Sequence, residues 1–319
     1  MLSHEDKELR KHYFRGFLNW FWLRPENALL CAIRAQNYNS TLKYFKDGKK
    51  SIDVSCGDGT FSFITFGGSL SSKCDMFRSI KNDKTFRDEK YDAFNHFSKN
   101  EYLIEIKEKP EKSYDFGLDW KNNLLKKADK LNFYNNLVHH DNNNTLPFSD
   151  GEMNYVYSNS AYWVDNFEEH LKDLTRITKS GGHLILEMKV EDIKKQTSKY
   201  YLPSMGERFH EIINAGRLST WKGLRSKDEI LRILTNIKGV KLKKVTPIYG
   251  GLPIKIWNLG FRPIFNPLSK MANNLSEKMR AEVKKEWIEI FYTLFEHILI
   301  TYEASDDEAV EFLIIIEKD

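Results

Sequence analysis

The segment KSIDVSCGDGTFSF, residues 50–63, carries the residues best suited to chemistry. Ile52 and Val54 alternate with an acid and a small residue, which predicts a short buried strand. Two glycines then allow a tight turn and let a ligand approach the bare backbone, and we predict a helix from Thr60 to Phe66. A strand, a glycine turn and a helix N-terminus together place free N–H groups at the end of a parallel sheet. We therefore expect a ligand site here, with the rest of the chain organised around it.

The glycine turn is open to several interpretations. A dinucleotide site requires G-x-G-x-x-G, and Ser62 occupies the position of the third glycine. A phosphate loop requires G-x-x-x-x-G-K-[ST], which the chain lacks. A strand and turn without a ligand is the structural alternative. The string best resembles motif I of class I S-adenosylmethionine-dependent methyltransferases, usually written D-x-G-x-G-x-G.

In this sequence motif I reads DVSCGDG, from Asp53 to Gly59, and Ser55 replaces the first glycine. In the family the turn wraps the amino-acid end of the cofactor. The acid at the strand end orients nearby backbone or the cofactor's ammonium group. The resemblance thus implies a set of cofactor-binding residues: Asp53, Ser55, Cys56, Gly57 and Gly59.

The composition limits the classes of function. Hydrophobic residues make up 41% of the 319, enough for one large domain or a domain with a cap. A net charge of +4, from 49 basic and 45 acidic residues, argues against nucleic acid as a partner. Cys31, Cys56 and Cys74 have no metal-site spacing and suit a reducing compartment. With a polar N-terminus and no apolar run near the ~20 residues that span a bilayer, we expect a cytoplasmic protein without a signal peptide.

A second acid follows the next predicted strand. Residues from about 76 to 112 exceed a usual α/β connection, and we interpret them as an insertion near the substrate mouth. The alternating run Tyr114–Trp120 then contains GLD, which resembles motif II of the family. In nucleotide-binding sheets an acid at this strand end accepts hydrogen bonds from the ribose hydroxyls. That role is assigned to Asp119, with Trp120 beside it, over the rival Asp75; a simple helix cap is the structural alternative.

The predicted third strand is followed by the most specific match after motif I. In the family an acid here contacts the adenine amino group, and a segment LPF.D..F comes shortly after. Asp141, next to Asn142, and Leu146–Asp150 match in order and spacing. The resemblance therefore implies a cofactor role for Asp141 and Asn142. His139 and His140 lie next to this site and are candidate bases, with a structural role as the alternative.

The end of the predicted fourth strand, Met153–Tyr157, should border the transferred methyl group, since ligands in open α/β sheets lie beyond the carboxyl ends of the strands. We assign Asn159 to the cofactor and Tyr162 and Trp163 to the substrate, with core packing as the alternative for the two rings. The chain lacks the N/D-P-P-Y/F tetrad of enzymes that methylate amino groups of bases. It also lacks the histidine that many relatives carry here.

Segments at both ends are predicted to cover the site. Residues 1–45 are interpreted as an N-terminal helical lid, in which Arg24 is a candidate partner for a substrate carboxylate; a helix packed on the core is the alternative. The cofactor-binding core spans 46–190, and residues 191–319 complete it. Within that last part, about 248–300 is interpreted as a substrate-side cap.

Together these patterns predict an α/β protein with a Rossmann-like class I methyltransferase sheet and helical caps. The resemblance implies S-adenosyl-L-methionine as cofactor, no metal, and methylation of an oxygen on a sugar or other small molecule. The chain also looks like methyltransferases found in bacterial surface-polysaccharide gene clusters, and this resemblance implies a sugar as the methyl acceptor. A hydroxyl acceptor requires a general base, for which His139, His140 and His210 are candidates. An RNA methyltransferase and a non-catalytic binding protein that retains the fold are the alternatives.

Overall fold

The computed structural model describes residues 2–78, 80, 92–214, 220–261 and 264–319, so part of the predicted insertion lies outside it. Within those ranges no helix combines the length and apolar character needed to cross a membrane. The strands are β1 Ser51–Val54, β2 Ser69–Leu70, β3 Ile106–Glu108, β4 Tyr114–Asp119, β5 Tyr134–His139, β6 Met153–Ser158, β7 Thr178–Lys189, β8 Val240–Gly250 and β9 Ala309–Lys318. The α-helices are α1 His4–Trp20, α2 Pro25–Asn39, α3 Thr60–Thr65, α4 Asn122–Asp129, α5 Phe167–Ile177, α6 Ser198–Tyr201, α7 Glu207–Asn214, α8 Lys227–Asn236, α9 Gly251–Leu259, α10 Phe265–Asn273 and α11 Glu277–Thr301.

The central sheet of the described residues has seven strands in the order β5-β4-β1-β6-β7-β9-β8. Neighbouring strands are parallel except for β9, which is antiparallel to both β7 and β8. The chain order runs outward from β1 through β4 to β5, and then from β6 to β7 on the other side. Such a reversal opens a crevice beyond the carboxyl ends of β1 and β6. The predicted Rossmann-like α/β fold is confirmed.

Helices cover both faces of this sheet. On one face Phe17 of α1 and Ile33 of α2 belong to the same buried cluster as Ile185 of β7. On the other face Leu171 of α5 and Ile230 of α8 belong to a second cluster. Strands covered on both faces are apolar almost throughout, and this burial explains the long apolar run of β9.

The N-terminal helices are part of the central core. Pro25 is the first residue of α2, where its fixed φ and missing N–H suit a helix start. Phe17 is fully buried and stacks on Phe61 of α3, with 5.7 Å between ring centroids. Tyr38 of α2 stacks on Tyr157 of β6 at 4.1 Å. The segment predicted as a lid therefore packs directly on the sheet.

The segment between β8 and β9 folds as the helices α9, α10 and α11. It is anchored to the residues after β2 by a buried ion pair, in which Nε of Arg280 donates to Asp75 at 2.7 Å. Lys284, one turn further along α11, donates from Nζ to the carbonyl of Ser72 at 3.0 Å and to the carbonyl of Cys74 at 2.5 Å. Asp75, the rival for the ribose role, is thus engaged with this segment.

Candidate functional site

The turn after β1 has the left-handed backbone that a glycine-rich loop allows. The angle φ is +65° at Ser55, +60° at Gly57 and +75° at Gly59. The N–H of Cys56 donates to the carbonyl of Leu118 at 2.9 Å, which fixes the turn against β4. Burial raises the pKa of the Cys56 thiol well above its usual value, so this group stays protonated at neutral pH. The turn therefore offers backbone groups, and not a nucleophile, to a ligand.

Gly59 meets two demands that only glycine satisfies together. A Cβ at this position would lie 2.7 Å from Cε2 of Tyr134 and 3.2 Å from Cδ1 of Leu131. Its positive φ is also strained for L residues. The helix α3 begins at the next residue, and the N–H of Phe63 donates to the carbonyl of Gly59 at 2.9 Å. The close packing places the N-terminus of α3 directly at the turn.

Asp53 is directed into the fold. Its Oδ2 accepts a hydrogen bond from the hydroxyl of Ser62 at 2.6 Å and another from the hydroxyl of Tyr134 at 2.8 Å. Burial is the main cause that raises the pKa of this carboxyl to about 6. The carboxyl therefore links α3 and β5 to β1. These links stabilise the turn that joins β1 to α3.

Asp119 holds the turn from the neighbouring strand. Its Oδ2 accepts from the N–H of Gly57 at 3.0 Å, and its Oδ1 accepts from the N–H of Lys121 at 2.8 Å. Burial raises the pKa of this carboxyl, against the effect of the two backbone donors. Each carboxylate oxygen has a second lone pair and can accept a further hydrogen bond. Trp120, the next residue, leaves 61% of its surface exposed at this edge.

Asn142 joins the end of β5 to the same turn. Its Nδ2 donates to Oγ of Ser55 at 2.8 Å, which gives the serine at the first glycine position a structural role. Asp141 is exposed, and its Oδ1 accepts from the N–H and from Nδ2 of Asn143, both at 3.0 Å. The structure thus brings the three sequence-predicted segments, after β1, β4 and β5, to one edge of the sheet.

Several buried polar atoms without a hydrogen-bond partner lie along this edge. They are Oγ1 of Thr60, Oδ1 of Asn142, Oγ of Ser158 and Oγ of Ser160. A buried polar group left unpaired costs about 1–3 kcal/mol. Asn159, assigned to the cofactor from the sequence, lies between the two serines and is half-buried. Such atoms fit a ligand rich in hydroxyl and amino groups, as S-adenosyl-L-methionine is.

The three histidines named as candidate bases are not brought together at this edge. Nε2 of His139 lies 2.7 Å from the carbonyl oxygen of Trp120, and Nε2 of His140 lies 3.3 Å from that of Asn144. His139 is exposed at the end of β5, the outermost strand of its side, and His140, which follows the strand, is half-buried. His210 is buried in α7, where Nδ1 lies 3.1 Å from Oγ of Ser198. These surroundings favour structural roles for all three.

Four aromatic rings lie together beyond the end of β6. This aromatic wall comprises Tyr162, Trp163, Trp221 and Trp257. Trp163 lies 5.9 Å from Tyr162 and 6.0 Å from Trp221 between ring centroids, and it is 47% exposed. Trp257 of α9 stacks on Trp221 at 6.3 Å. The sequence indicated the first two residues only, because no motif surrounds the two tryptophans.

Arg24 has its carboxylate partner within the chain. Its guanidinium forms a buried ion pair with Glu26, and its Nη2 donates to Oδ1 of Asn27 at 3.4 Å. The arginine is only 3% exposed. The expectation that Arg24 meets a substrate carboxylate is therefore not supported, because the second residue of α2 already neutralises it.

A buried charged cluster lies at the same edge of the sheet and was missed from the sequence. It comprises Arg34 of α2, Tyr157 of β6, Glu187 and Lys189 of β7, Tyr249 of β8 and Glu311 of β9. An acid inside the apolar strands LILEMK and AVEFLIII was the available signal. A charge in a strand covered on both faces must find a partner, so each acid could have been recognised as part of a buried polar site.

Residues 109–186 match a family model described as a methyltransferase domain. This range contains β4, β5 and β6 with Asp119 and Asp141, and most of β7. The chain thus contains a methyltransferase domain.

Several solved structures resemble this methyltransferase at low sequence identity. One is a SAM-dependent methyltransferase from Thermotoga maritima, named as a possible histamine N-methyltransferase, with 14% identity, a TM-score of 0.47 and coverage of 98% of this chain and 99% of that one. Another is the geranyl diphosphate C-methyltransferase from Streptomyces coelicolor, with 10% identity, a TM-score of 0.43 and coverage of 91% and 84%. No curated protein matches the sequence. Likeness at this level carries no information about the acceptor.

Proposed function

We propose that this methyltransferase transfers a methyl group to a hydroxyl oxygen of a sugar or another small molecule. The aromatic wall carries the proposal. Tyr162 and Trp163 follow the end of β6, the strand beside β1, and Nε1 of Trp221 is buried without a hydrogen-bond partner. Rings with a polar tip offer an apolar face to the C–H side of an acceptor ring and a donor to its hydroxyls.

The enclosure of the wall favours a compact acceptor. Trp257 belongs to α9 and donates from Nε1 to Oδ1 of Asn27 in α2 at 2.8 Å. This bond closes the gap between the segment after β8 and the N-terminal helices. A polymer such as RNA would need an open, basic face, whereas this wall is bounded by the chain on two sides.

The cofactor site in this proposal is the edge formed by the turn and the ends of β4 to β6. The turn residues Ser55, Cys56, Gly57 and Gly59 leave backbone groups for the amino-acid end, supported by Asp53. Asp119 accepts hydrogen bonds from the ribose hydroxyls. The adenine lies near Trp120, Asp141 and Asn142, and Asn159 lies near the amino-acid end.

Holding the reactants in line is the main task of these residues. The cofactor supplies a methyl group that is already electrophilic, because it is bonded to a sulfonium. Correct placement of two reactants can lower a barrier by ~7–11 kcal/mol. The turn is fixed by Asp119 and by the bond from Cys56 to Leu118, and the wall borders the acceptor side. Tyr162 and Trp163 are the acceptor-binding residues in this proposal.

A titration and an acceptor screen test this function. We expect calorimetry to show micromolar binding of S-adenosyl-L-methionine and S-adenosylhomocysteine and none of NAD. Methyl glycosides, nucleotide sugars, catechol and total RNA are then screened for release of S-adenosylhomocysteine. Turnover with a glycoside or nucleotide sugar, reduced at least tenfold by Trp163→Ala and unchanged by Leu294→Ala on the exposed face of α11, supports the proposal. Salt-dependent turnover with RNA only, or cofactor binding without turnover, contradicts it.

A further inference from the structure

The charged cluster is a buried group of two cations, two acids and two phenols at the ligand edge of the sheet. Lys189 pairs in register with Glu311, and Tyr249 of β8 pairs with the same residue. All three therefore lie level with one another, at the carboxyl ends of β7 and β8. Arg34 closes the cluster from α2 and lies 5.8 Å from the ring of Phe61 in α3. The cluster thus adjoins the helix that starts at the glycine turn.

Glu311 is the fixed anion of this cluster. Its Oε1 accepts from Nε of Arg34 at 2.6 Å, and its Oε2 accepts from Nη2 of Arg34 at 2.9 Å and from the hydroxyl of Tyr249 at 2.5 Å. Nζ of Lys189 also donates to it. The two cations lower the pKa of this carboxyl to about 2, despite its burial. Both of its oxygens accept hydrogen bonds within the cluster.

Glu187 differs from Glu311 because one of its oxygens is unused. Its Oε2 accepts from the hydroxyl of Tyr157 at 2.6 Å and lies 3.5 Å from Nε of Arg34. Its Oε1 is buried and has no hydrogen-bond partner, and the residue is 0% exposed. A carboxyl oxygen in this state is matched by a ligand that brings an O–H or N–H group.

The place of Glu187 in the sheet is near the end of β6, where the proposed function puts methyl transfer. Ser158 of β6 pairs in register with Leu186, so Glu187 lies level with Asn159. Ser158 and Ser160, on either side of Asn159, carry two of the unpartnered hydroxyls of the cofactor edge. We propose that Glu187 is the acid–base residue of the transfer, which accepts the proton of the acceptor hydroxyl on Oε1. This inference rests on the proposed function.

The step balances without a further reactant. The acceptor oxygen forms a bond to the methyl carbon, the bond from that carbon to sulfur breaks, and its electron pair stays on sulfur. The hydroxyl proton moves to Oε1 of Glu187, which starts as a carboxylate and ends as a neutral acid. Arg34 steadies the carboxylate form, and Tyr157 keeps the other oxygen in place.

The surroundings of Glu187 suit such a role near neutral pH. Burial is the main cause that raises its pKa to about 8, against the effect of Arg34. A base of this strength is well matched to proton transfer at physiological pH. The titratable and charged groups around it are Cys31 and Arg34 on α2, Tyr114 on β4, Tyr155 and Tyr157 on β6, Lys189 on β7 and Glu311 on β9.

A first test needs no acceptor. The carboxyl of Glu187 is titrated by NMR in protein labelled with ¹³C at the glutamate carboxyls, with S-adenosyl-L-methionine bound and again with S-adenosylhomocysteine bound. Glu187→Gln identifies the resonance, and Glu187→Asp does so if the amide variant fails to fold. The sulfonium carries a positive charge that the product lacks. A group facing it should therefore titrate at lower pH with the substrate form. Equal midpoints place Glu187 away from the reacting atoms and overturn the proposal.

A second test uses whichever acceptor the screen identifies. Glu187→Gln should lower kcat by about 10²–10⁴-fold and remove the rise of kcat with pH, while the affinity for S-adenosylhomocysteine stays unchanged. Added formate should restore part of the activity of Glu187→Ala. Glu289→Gln, an exposed acid on α11, is the matched control. A full kcat or an unaltered pH profile in Glu187→Gln overturns the proposal, whereas a wild-type enzyme without turnover contradicts the proposed function instead.

Discussion

Asp119 is the residue on which the ligand edge depends most directly. One of its oxygens holds the turn after β1, and the other holds the chain just before α4. Asp53 also follows the pattern of an acid at a strand end, yet its carboxyl faces the protein interior. The sequence places both acids correctly along the chain. It does not show which side of the strand each carboxyl faces, since that depends on Ser62 and Tyr134 from other elements.

Asp119→Asn should weaken binding of S-adenosyl-L-methionine by about 10- to 100-fold. The substitution keeps the shape of the side chain but removes the charge, and a hydrogen bond to a charged group contributes about 1.5–3 kcal/mol. Calorimetry on the folded variant measures the effect. Asp129→Asn, at the exposed end of α4, is the control and should bind normally. Normal binding by the Asp119 variant would remove this residue from the ribose site.

At the scale of elements, the join between α11 and the residues after β2 is held by buried charges. Lys284 is 5% exposed and donates to two backbone carbonyls. Burial lowers its pKa to about 8. Neither contact was predictable, because Ser72 and Cys74 are more than 200 residues away in the chain. The first strand of the central sheet and the glycine turn were predictable, since their apolar residues and glycines act locally.

The low pKa of Lys284 predicts a rise of stability with pH. Between about pH 8 and 10.5 the unfolded chain still binds the lysine proton and the folded chain does not. The free energy of unfolding should therefore increase with pH in that window, by at most about 1.4 kcal/mol per pH unit for one proton. Denaturant unfolding at several pH values measures this increase. The increase per pH unit should be smaller in Lys284→Met, and the exposed neighbour Lys285→Met should keep the wild-type value. The same increase in all three proteins would refute the assignment.

On the scale of the whole molecule, the parts predicted as core and lid share one interior. Tyr38 and Phe17 come from the predicted lid, and both pack on aromatic residues of the predicted core. The sequence predicted the Rossmann-like sheet. It could not decide whether the N-terminal segment is a lid or a helix packed on the core, because an aromatic-rich helix has the same sequence pattern in both cases. Only the rings that face it decide between the two.

Phe17→Ala should lower the free energy of unfolding by about 3–5 kcal/mol, as expected when a fully buried phenylalanine leaves a cavity. Urea unfolding followed by circular dichroism measures this loss. Glu8→Ala, exposed on the same helix, is the matched control and should change stability little. A loss below about 1 kcal/mol would mean that α1 contributes little to the packing on the sheet. The interpretation of the N-terminal segment as a lid would then be restored.

The position of β9 has a consequence for the order in which the chain folds during synthesis. β9 follows the other eight strands in the chain, yet it lies between β7 and β8. Until it is made, β7 lacks its neighbour and presents the unpaired edge that invites association between chains. β8 carries Lys241, Lys243 and Lys244 along its length, and these charges oppose association while the strand is unpaired. The segment LILEM in β7 has no basic residue. Nascent chains halted before Ala309 should therefore aggregate through β7 and should lack the anion that Glu311 brings to the cluster.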